Sequence, residues 1–594
     1  MRFSAVVWLT VLLTAWDTAS TAQDESQTAP LQPEEASGYA EKSGWAARHF
    51  AVAAAHPLAT DAGYLILKAG GSAIDAAVAV QMVLGLVEPQ SSGIGGGSFM
   101  LHHDGHITEA FDGRETAPAA ANGNLFLSAN GKPMSFFDGV VGGRAVGVPG
   151  TVRMLEDAHR LHGKLPWAAL FTPAIQLAEQ GFKVSPRLHA LLVNDRYLKK
   201  DPIAAAYFYD AAGQPWPVGH LLKNPELASV FKRIAAEGSR ALMTGDIAQA
   251  IVDKVRQHPT NPGQLALADL AGYQAIQRQP LCHDYRAAAR DYRICGMPPP
   301  SSGAVTVGQM LGMLSHTPAA AMPLIDGLPD ARWLHLYTET SRLAFADRDQ
   351  YIADPDFVQP PAGSWMSLLE PRYLAERAKL VSPVRMTTAT AGTPGTVKTS
   401  YAPMPEQPEH GTSHISIVDA NGNALAMTSS IENAFGSRQM VKGFLLNNEL
   451  TDFSFAPTDA QGRPIANRVE PGKRPRSSMA PTLVFDTATG QLLMSGGSPG
   501  GALIIHYTAK LLYGSLNWAL DAQQAINLPN FGSLNGITLL EDHRFPATTL
   551  ESLKQTGAQV REVPMTSGLQ AIQKTPSGWF GGADPRREGV VRGD

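Results

Sequence analysis

Gly411 and Thr412 form a dipeptide that could carry out nucleophilic chemistry, depending on what surrounds it. A threonine hydroxyl is a weak nucleophile until a base activates it, and the free α-amine of an N-terminal threonine can be that base. The amine becomes free only if Oγ attacks the preceding carbonyl and water resolves the resulting ester. A preceding glycine tolerates the strained backbone of such a step. The same dipeptide occurs at 150–151, 392–393 and 395–396, so only its surroundings favour position 412.

The surroundings of Thr412 suit autoproteolysis. Residues 383–410 contain Pro, Thr and Gly and almost no periodic apolar residues, which predicts an exposed linker. Residues 412–418 and 424–428 alternate in polarity on either side of an Asp/Asn/Gly turn, which predicts a β-hairpin. A loose segment before the threonine and a strand after it would let the new chain ends separate.

A rival nucleophile, Ser498, lies in a literal G-x-S-x-G pattern. In a serine hydrolase elbow, the residue after the serine contributes its backbone N–H to the oxyanion hole. Here that residue is Pro499, which has no N–H, so the pattern argues against a serine nucleophile. Gly500 and Gly501 could still bring backbone N–H groups close to a ligand. The alternative is that these two glycines form a plain turn between a strand and a helix.

Sequence motifs for nucleotides and metals are missing. Residues 93–97 do not complete G-x-G-x-x-G because position 98 is Ser, and they precede a strand instead of opening a helix. The 17 histidines show no tight metal-ligand spacing, so no metal site is predicted. No other cofactor is predicted either. His102 and His103 lie on a predicted hairpin over 98–112, where histidines are more often surface residues than ligands.

The composition indicates a globular protein. Of the 594 residues, 44% are hydrophobic and 17% are charged, which allows a large core and argues against disorder. The formal net charge of −5 excludes a generally basic nucleic-acid binder. The only cysteines, Cys282 and Cys295, exclude a disulfide scaffold and a zinc site of several thiolates. They either pair across a short loop or remain two buried thiols.

The N-terminus has the features of a secretory signal peptide. A positive start is followed by a hydrophobic run over 3–16 and by small residues at 20–22. Cleavage after residue 22 would leave an exported protein, periplasmic or secreted, and the alternative is an uncleaved anchor. Residues 23–45 are polar and contain Pro, which predicts a flexible N-terminus. No later segment is long and apolar enough to span a membrane.

Helix and strand patterns occur on both sides of the linker, which predicts an α/β or layered α+β protein. Helices are expected after His56, from Ser72, and over about 331–351. A further strand pair is expected at 482–485 and 492–495.

A co-linear series of motifs runs through the chain from about residue 50 to 590: HPLATDAGYLILKAGGSAIDAAVA, VEPQSSGIGGGSF, DGRETAPAAA, CGMPPPSSG, AFADRDQYIADPDF, GTSHISIVDANGNALAMTSSI, FGSRQMVKGFLLNNELTDFS, KRPRSSMAPTLVF, GGSPGGALII and ADPRREG. By these motifs the chain resembles the gamma-glutamyltransferase (glutathione hydrolase) family of N-terminal nucleophile enzymes. The resemblance implies an α+β fold, a four-layer αββα sandwich in which two autoproteolytic subunits form one intertwined domain. The large subunit would be residues 46–411 and the small subunit 412–594.

The resemblance also assigns roles within a γ-glutamyl transfer through a threonine ester. It implies cleavage between Gly411 and Thr412, with Thr412 as the nucleophile and Ser430 assisting, where the family more often has Thr. Gly500 and Gly501 match the oxyanion hole. No cofactor is implied. The partners would be glutathione or related γ-glutamyl amides as donors, and water, amino acids or peptides as acceptors.

The implied substrate pocket holds the two charges of the glutamyl head. Arg114 would bind the α-carboxylate, because a guanidinium matches a carboxylate bidentately. An ion pair with Asp112 or Glu115 is the structural alternative. The serines that match the carboxylate site are Ser477 and Ser478, and the acids that match the α-ammonium site are Glu432, Glu449 and Asp452.

Two departures from the family pattern affect specificity. Glu432 stands where the family often has Asn, so three carboxylates would surround one ammonium. The pocket is then strongly selective for the cation, or one carboxylate is protonated or turned away. The segment over 454–472 is shorter than in lid-bearing relatives and lacks Tyr, so the lid is expected to be short or open. This leaves a second activity open, the deacylation of glutaryl-type β-lactams by a cephalosporin acylase of the same fold.

Overall fold

The computed structural model describes residues 36–397 and 400–594. The predicted signal peptide, 1–22, lies outside these residues, as does most of the predicted flexible N-terminus. Among residues 36–44 of that segment, Lys42 donates 2.7 Å hydrogen bonds to the backbone oxygens of Asp584 and Arg587. Within the described ranges no helix is both long and apolar enough to cross a membrane.

Two seven-stranded sheets form the centre of the molecule, with strand orders β1-β20-β19-β15-β14-β9-β8 and β21-β2-β10-β11-β3-β4-β7. The strands of the described chain are β1 Trp45–Ala47, β2 Ala51–Ala54, β3 Gly97–His103, β4 Thr108–Gly113, β5 Phe182–Lys183, β6 Leu221–Leu222, β7 Ile276–Arg278, β8 Leu281–Ala287, β9 Arg290–Gly296, β10 Ser413–Val418, β11 Ala424–Ser430, β12 Met440–Val441, β13 Phe444–Leu445, β14 Thr482–Asp486, β15 Leu492–Gly497, β16 Phe531–Gly532, β17 Thr538–Glu541, β18 Val560–Val563, β19 Gln570–Thr575, β20 Gly578–Ala583 and β21 Val590–Gly593.

Helices cover the outer face of each sheet. The helices of the described chain are α1 Pro57–Lys68, α2 Ala73–Val87, α3 Phe136–Val140, α4 Thr151–His162, α5 Thr172–Gln180, α6 Pro186–Asn194, α7 Pro202–Phe208, α8 Pro225–Glu237, α9 Arg240–Met243, α10 Gly245–Arg256, α11 Leu267–Gly272, α12 Gly303–Ser315, α13 Ala331–Tyr351, α14 Pro371–Ala378, α15 Ile504–Leu516, α16 Ala522–Asn527 and α17 Ala547–Gln555. Two short 3₁₀ turns, Glu449–Asp452 and Gly501–Leu503, carry candidate site residues.

Because side chains alternate along the strands, the apolar residues form three cores, one between each pair of adjacent layers. On β10, Ile415 and Ile417 pack against the helical layer that contains α1 and α2. Val418, one residue further on, joins the core between the two sheets. A third core lies beyond the other sheet, among α12, α13 and α15. The order helix, sheet, sheet, helix confirms the predicted αββα sandwich.

The segment that begins at Thr412 is woven into the rest of the chain. β10 pairs with β2 on one side and β11 pairs with β3 on the other, so a hairpin from the C-terminal part fills the middle of a sheet built from both parts. Neither part can complete this sheet alone. The two parts therefore form one intertwined domain.

The strongest sequence patterns are confirmed. α1 follows His56, whose ring nitrogen accepts from the N–H of Leu58, and Ser72 caps α2 through a capping box. α13 has the predicted bounds. The predicted hairpins are β3–β4 and β10–β11, and the later strand pair is β14–β15.

The predicted exposed linker is wrong in its last part. Residues 383–397 and 400–410 form no helix or strand, but Ala402, Met404 and His410 are buried. They are covered because this segment leads the chain into the central strand β10 and must enter the core to do so. Polarity and proline content predicted the lack of regular structure but not the burial.

The predicted surface position of His102 and His103 is also wrong, since only 1% and 7% of these residues are exposed. β3 lies inside its sheet, between β11 and β4, and the two faces of the sheet here are covered by α4 and by the other sheet. The His103 ring packs edge-on against Phe485 of the other sheet at 4.8 Å, and the His102 ring lies 4.3 Å from that of His162 at the end of α4.

The two cysteines form a disulfide. Cys282 on β8 and Cys295 on β9 are directly opposite in the antiparallel register, which brings the side chains together. Of the two alternatives left open by the sequence, the structure contains the pair.

Candidate active site

Thr412 lies at the entry to β10, where the chain passes from the buried end of the linker into the sheet. It is 2% exposed, and its Oγ1 accepts a 3.2 Å hydrogen bond from the backbone N–H of Gly500. The hydroxyl is therefore held in one place by a rigid backbone donor. The Gly411–Thr412 peptide bond is intact in this structure, so the geometry is that of the uncut chain.

Ser430 ends β11, the neighbour of β10, and its hydroxyl donates a 2.7 Å hydrogen bond to the carbonyl oxygen of Gly411. The same oxygen atom of Ser430 accepts from the backbone N–H of Glu432 at 2.7 Å. The two bonds together orient the hydroxyl, because its proton points to the Gly411 oxygen while a lone pair of its oxygen accepts the N–H of Glu432. The carbonyl of Gly411 is thus polarised next to the threonine hydroxyl.

Gly500 and Gly501 link β15 to α15 and both have positive φ, 131° and 56°. A Cβ at Gly500 would lie 2.6 Å from the ring of Tyr507, and one at Gly501 would lie 2.0 Å from the carbonyl oxygen of Glu409. Both positions therefore require glycine for conformation and for close packing. The simple-turn alternative is insufficient for Gly500, because its N–H contacts Thr412.

Arg114 follows β4 and is buried beneath the 3₁₀ turn Glu449–Asp452. Its guanidinium donates to the carboxylates of Glu449 and Asp452 and to the backbone oxygen of Arg476 at 2.8 Å. The alternative partner Glu115 lies 4.0 Å away. In the uncleaved chain, the residues matched to the two poles of a substrate therefore neutralise each other.

Glu432 is turned away from that ion cluster. One carboxylate oxygen accepts from the backbone N–H of His410 at 3.1 Å and the other accepts from the side-chain amide of Asn448. Burial first, then the charges of Asp452 and Glu449, raise the pKa of Glu432 well above its usual range. Of the alternatives open for three clustered carboxylates, Glu432 has its hydrogen bonds elsewhere than to Arg114, and its raised pKa favours the protonated form.

Burial also raises the pKa values of two other acids near the site, Asp452 and Glu115. Burial raises the pKa of Asp452 to about 8, although Arg114 acts in the opposite direction. Burial and Glu449 also raise the pKa of Glu115, a site neighbour that the sequence had suggested only as a structural partner. Arg114 cannot neutralise all of these carboxyls, so part of the cluster retains protons at neutral pH.

Ser477 and Ser478 come together with the rest of the pocket but have different partners. Ser477 Oγ accepts a backbone hydrogen bond from Met479 at 3.1 Å. Ser478 Oγ donates to the carboxylate of Glu409 and accepts from Arg348 at 2.6 Å. A carboxylate from the chain itself thus occupies the serine that was matched to a substrate carboxylate.

The uncleaved pocket is almost full. Its free volume is about 10 Å³, the space of roughly one water molecule. The γ-glutamyl group of a substrate does not fit while the segment around Glu409 remains in place. Its walls include all the predicted site residues except Gly411 and Gly500, namely Arg114, Thr412, Ser430, Glu432, Glu449, Asp452, Ser477, Ser478 and Gly501.

Arg348, Glu409 and Asn448 are among the neighbours of the site that were not predicted as site residues. Arg348 and Asn448 lie inside the family-like stretches AFADRDQYIADPDF and FGSRQMVKGFLLNNELTDFS, which was the available signal. Glu409 lies three residues before Thr412, in the segment predicted to be exposed. Its carboxylate pairs with Arg348 at 2.5 Å, which no local pattern could indicate.

Ser498 has no role as a nucleophile in this geometry. Its buried hydroxyl donates to the backbone oxygen of Pro499 at 2.8 Å and accepts from the N–H of Gly568 at 3.2 Å. One bond is to the neighbouring residue and the other is to a distant segment of the chain, and together they satisfy the hydroxyl. The structure therefore agrees with the argument from Pro499 against a serine hydrolase.

The family model described as Gamma-glutamyltranspeptidase matches residues 59–593. The chain belongs to the gamma-glutamyltranspeptidase family. A glutathione hydrolase proenzyme of Bacillus subtilis (strain 168) is 36% identical over 558 residues, covering 91% of each chain. Acylase ACY 1 proenzyme of Pseudomonas sp. (strain V22) is 34% identical over 540 residues, covering 89% of this chain and 90% of the other.

The fold comparison agrees with the family. A crystal structure of cephalosporin acylase from Bacillus halodurans superposes with a TM-score of 0.80 at 25% identity, over 95% of this chain and 99% of the other. The αββα sandwich is therefore the N-terminal nucleophile hydrolase fold, and the protein is an enzyme of the gamma-glutamyltranspeptidase type. Hydrolases of glutathione and acylases are both similar to it, so the pocket must decide the substrate.

Proposed function

We propose that this protein is an exported, self-cleaving enzyme that transfers the γ-glutamyl group of glutathione and related γ-glutamyl amides to water or to amino acids and peptides. One observation carries the proposal: Thr412 Oγ1 is held by a backbone N–H directly beside a polarised peptide carbonyl, above a pocket that contains Arg114 and several carboxyls.

Autoproteolysis would begin at the Gly411–Thr412 bond. Thr412 Oγ1 attacks the Gly411 carbonyl carbon, the Ser430 hydroxyl stabilises the developing oxyanion, and the hydroxyl proton passes to the departing nitrogen of Thr412. An ester then links Gly411 to Thr412 Oγ1. Water hydrolyses the ester, leaving a carboxylate on Gly411 and a free amine and hydroxyl on Thr412. The products are chains ending at 411 and starting at 412.

Turnover would use the new α-amine as the base. Its ordinary pKa of ~7.7–8 leaves part of it unprotonated at neutral pH, beside its own Oγ1. Oγ1 attacks the γ-carbonyl of the donor, whose oxyanion faces the N–H groups of Gly500 and Gly501. The amine of the donor leaves with a proton. Water or an acceptor amine then cleaves the γ-glutamyl ester and restores the Thr412 hydroxyl.

Substrate binding would follow removal of the chain's own groups from the pocket. Once the chain is cut, the segment with Glu409 can withdraw from Ser478 and Arg348. The α-carboxylate then binds Arg114 with Ser477 and Ser478. Glu449 and Asp452 exchange part of their contact with Arg114 for the α-ammonium. Glu432, bonded to His410 only while that segment is in place, becomes available as a further acceptor.

A cephalosporin acylase is the second candidate, because a cephalosporin acylase from Bacillus halodurans has the same fold, and we take a glutaryl group as the acyl group to compare. A glutaryl group keeps the carboxylate of a γ-glutamyl group but lacks its ammonium. Glu449 and Asp452 would then share Arg114 with the substrate carboxylate and gain no ammonium in return, which is unfavourable. The two carboxylates therefore favour the γ-glutamyl substrate.

Export is supported by the hydrophobic N-terminus and by the Cys282–Cys295 disulfide, since disulfides persist mainly in oxidising compartments. The two-subunit arrangement is supported by the word proenzyme in the names of the similar chains.

The test compares the wild type with Thr412→Ala and Thr412→Ser. The intact-mass spectrum of the wild type should show two chains, one starting at Thr412. T412A should stay whole and inactive, and T412S should cleave because it keeps a hydroxyl. Activity is then measured with γ-glutamyl-p-nitroanilide and glutaryl-p-nitroanilide. Cleavage of T412A would refute the nucleophile, and a preference for the glutaryl compound would establish the acylase instead.

A further inference from the structure

We propose that His102, Glu109 and His162 form a binding site for one divalent transition-metal ion, with Zn²⁺ as the expected occupant. Each of the three side chains offers one ligand atom, and these atoms all lie within 4.8 Å of one another. Two imidazoles and a carboxylate are a common zinc ligand set, with a fourth position left for water.

The fold places the three ligands on three different elements. His102 on β3 and Glu109 on β4 are directly opposite in the hairpin register, so their side chains project from the same face of the sheet. α4 crosses that face, and its last residue is His162. The ring of His162 lies 4.3 Å from that of His102. The cluster thus depends on tertiary packing, which explains why no spacing motif in the sequence indicates it.

The distances suit a metal after a small adjustment. Glu109 Oε2 lies 2.6 Å from His162 Nε2 and 3.9 Å from His102 Nδ1. Ligand atoms of a tetrahedral zinc site with bonds of about 2.1 Å are roughly 3.4 Å apart. One separation is shorter and the other longer than this value. Shifts of about 1 Å or less in the ligand atoms would bring these two separations to the tetrahedral value.

An unsatisfied buried group points into the cluster. His102 is 1% exposed, and neither of its ring nitrogens has a hydrogen-bond partner among the described residues. Buried polar atoms are normally satisfied, and a bound ion is one of the accepted reasons for an exception. A cation between His102 and Glu109 would satisfy the imidazole. Glu109 and His162 are partly exposed, so solvent can reach the fourth coordination position.

The outer contacts of the cluster agree with this assignment. Glu109 Oε2 is the oxygen that faces the two imidazoles. The other oxygen of Glu109 accepts from the side-chain amide of Gln277. Such outer contacts orient a metal-binding carboxylate.

The site would be structural rather than catalytic. Gly97, at the other end of β3, pairs with Ser430 of the active site, and His102 is five residues further along the strand. At ~3.3 Å per residue this separation is about 17 Å. A metal here would join the end of α4 to the β3–β4 hairpin and would raise stability by binding only the folded state.

The experiment uses the full purified enzyme, stripped with EDTA and dialysed, then loaded with Zn²⁺. The bound metal per chain is measured by inductively coupled plasma mass spectrometry. In a separate sample Co²⁺ replaces Zn²⁺, and its visible absorption spectrum reports the coordination geometry. The variants are Glu109→Gln and His162→Gln. The matched control is His106→Gln, which removes an exposed histidine from the same hairpin.

We expect one bound Zn²⁺ per chain and a tetrahedral Co²⁺ spectrum in the wild type and in H106Q. E109Q and H162Q should bind at least ~10-fold more weakly, and Zn²⁺ should raise the melting temperature of the wild type but not of these two. The proposal is overturned if the stripped wild type takes up no metal at micromolar Zn²⁺. It is also overturned if E109Q binds Zn²⁺ as tightly as the wild type. Glu109 would then not be a ligand, and its contacts with the two histidines would be ion pairs alone.

Discussion

The hydroxyl of Ser430 donates a 2.7 Å hydrogen bond to the carbonyl oxygen of Gly411, the residue before the proposed nucleophile. Gly411 precedes β10 and Ser430 ends β11. The two residues meet because β10 and β11 are antiparallel neighbours. The bond polarises a single peptide carbonyl in a buried site. It therefore gives Ser430 a role before cleavage that is separate from any role in turnover.

Ser430→Ala should slow self-cleavage by about 100-fold, because removing one oxyanion donor has an effect of this size in other enzymes. Ser430→Thr, with the hydroxyl retained, should cleave at a rate close to the wild type. The rate is measured from the disappearance of the uncut chain on denaturing gels. Ser429→Ala is the matched control, since Ser429 bonds Gly97 instead. Equal rates for S430A and S429A would remove Ser430 from the cleavage step.

Gly500→Ala should block both cleavage and turnover. The added Cβ would meet the ring of Tyr507, and φ of 131° is unfavourable for alanine. The loop must move, and the N–H that holds Thr412 moves with it. Gly490→Ala is the control, because Gly490 also has positive φ but its Cβ would meet nothing within 4 Å. If G500A cleaves and turns over as G490A does, Gly500 is not a donor to the reaction.

Arg114→Lys should cleave itself but bind donor poorly. Lysine keeps a positive charge beside Glu449 and Asp452, so the buried acids are not left without a cation, whereas alanine would destabilise the fold by about 3–5 kcal/mol. Lysine cannot form the bidentate contact with an α-carboxylate. We expect KM for γ-glutamyl-p-nitroanilide to rise at least ~10-fold, a loss of about 1.4 kcal/mol of binding. Arg144→Lys, remote from the pocket walls, is the control. An unchanged KM would contradict the carboxylate role of Arg114.

Glu409→Ala should affect cleavage more than turnover. In the uncut chain Glu409 is anchored by Ser478 and Arg348, which holds the scissile segment in place. After cleavage the residue no longer needs to occupy the pocket. We expect several-fold slower processing and, in fully processed enzyme, kcat/KM close to the wild type. Glu406→Gln, an exposed neighbour, should change neither quantity. A large loss of kcat/KM in processed E409A would place Glu409 in the working site.

Glu432 should make the uncut chain less stable as pH rises. Its pKa is raised by burial, so the folded chain retains a proton that the unfolded chain loses above about pH 4.3. Between that pH and the higher folded pKa, the free energy of unfolding falls by up to about 1.4 kcal/mol per pH unit. The substitution Glu432→Gln removes this titration, so its stabilising effect should grow from pH 5 to pH 8.

The comparison uses urea unfolding of T412A with and without E432Q, so that both chains stay whole. Glu551→Gln, an exposed acid on α17, is the control and should show no such pH trend. A difference that is the same at pH 5 and pH 8 would mean that Glu432 titrates normally in the folded chain.

Local patterns in the sequence determined the elements. The capping residues of α1 and α2, the alternation on both sides of the turn at 419–423, and the bounds of α13 follow from nearest-neighbour chemistry, which needs no tertiary information. Most of the residues that line the pocket were also predicted, but by resemblance to a family, since nothing local relates Arg114 to Thr412.

Only the tertiary structure decided which groups meet. Arg114 bonds Glu449 and Asp452, Glu409 reaches Ser478, and His102 is buried against His162, although each pair comes from distant segments. The linker was wrongly predicted to be exposed for the same reason. Burial and pKa depend on the low-dielectric surroundings that packing creates, and a one-dimensional pattern of polar residues does not contain those surroundings.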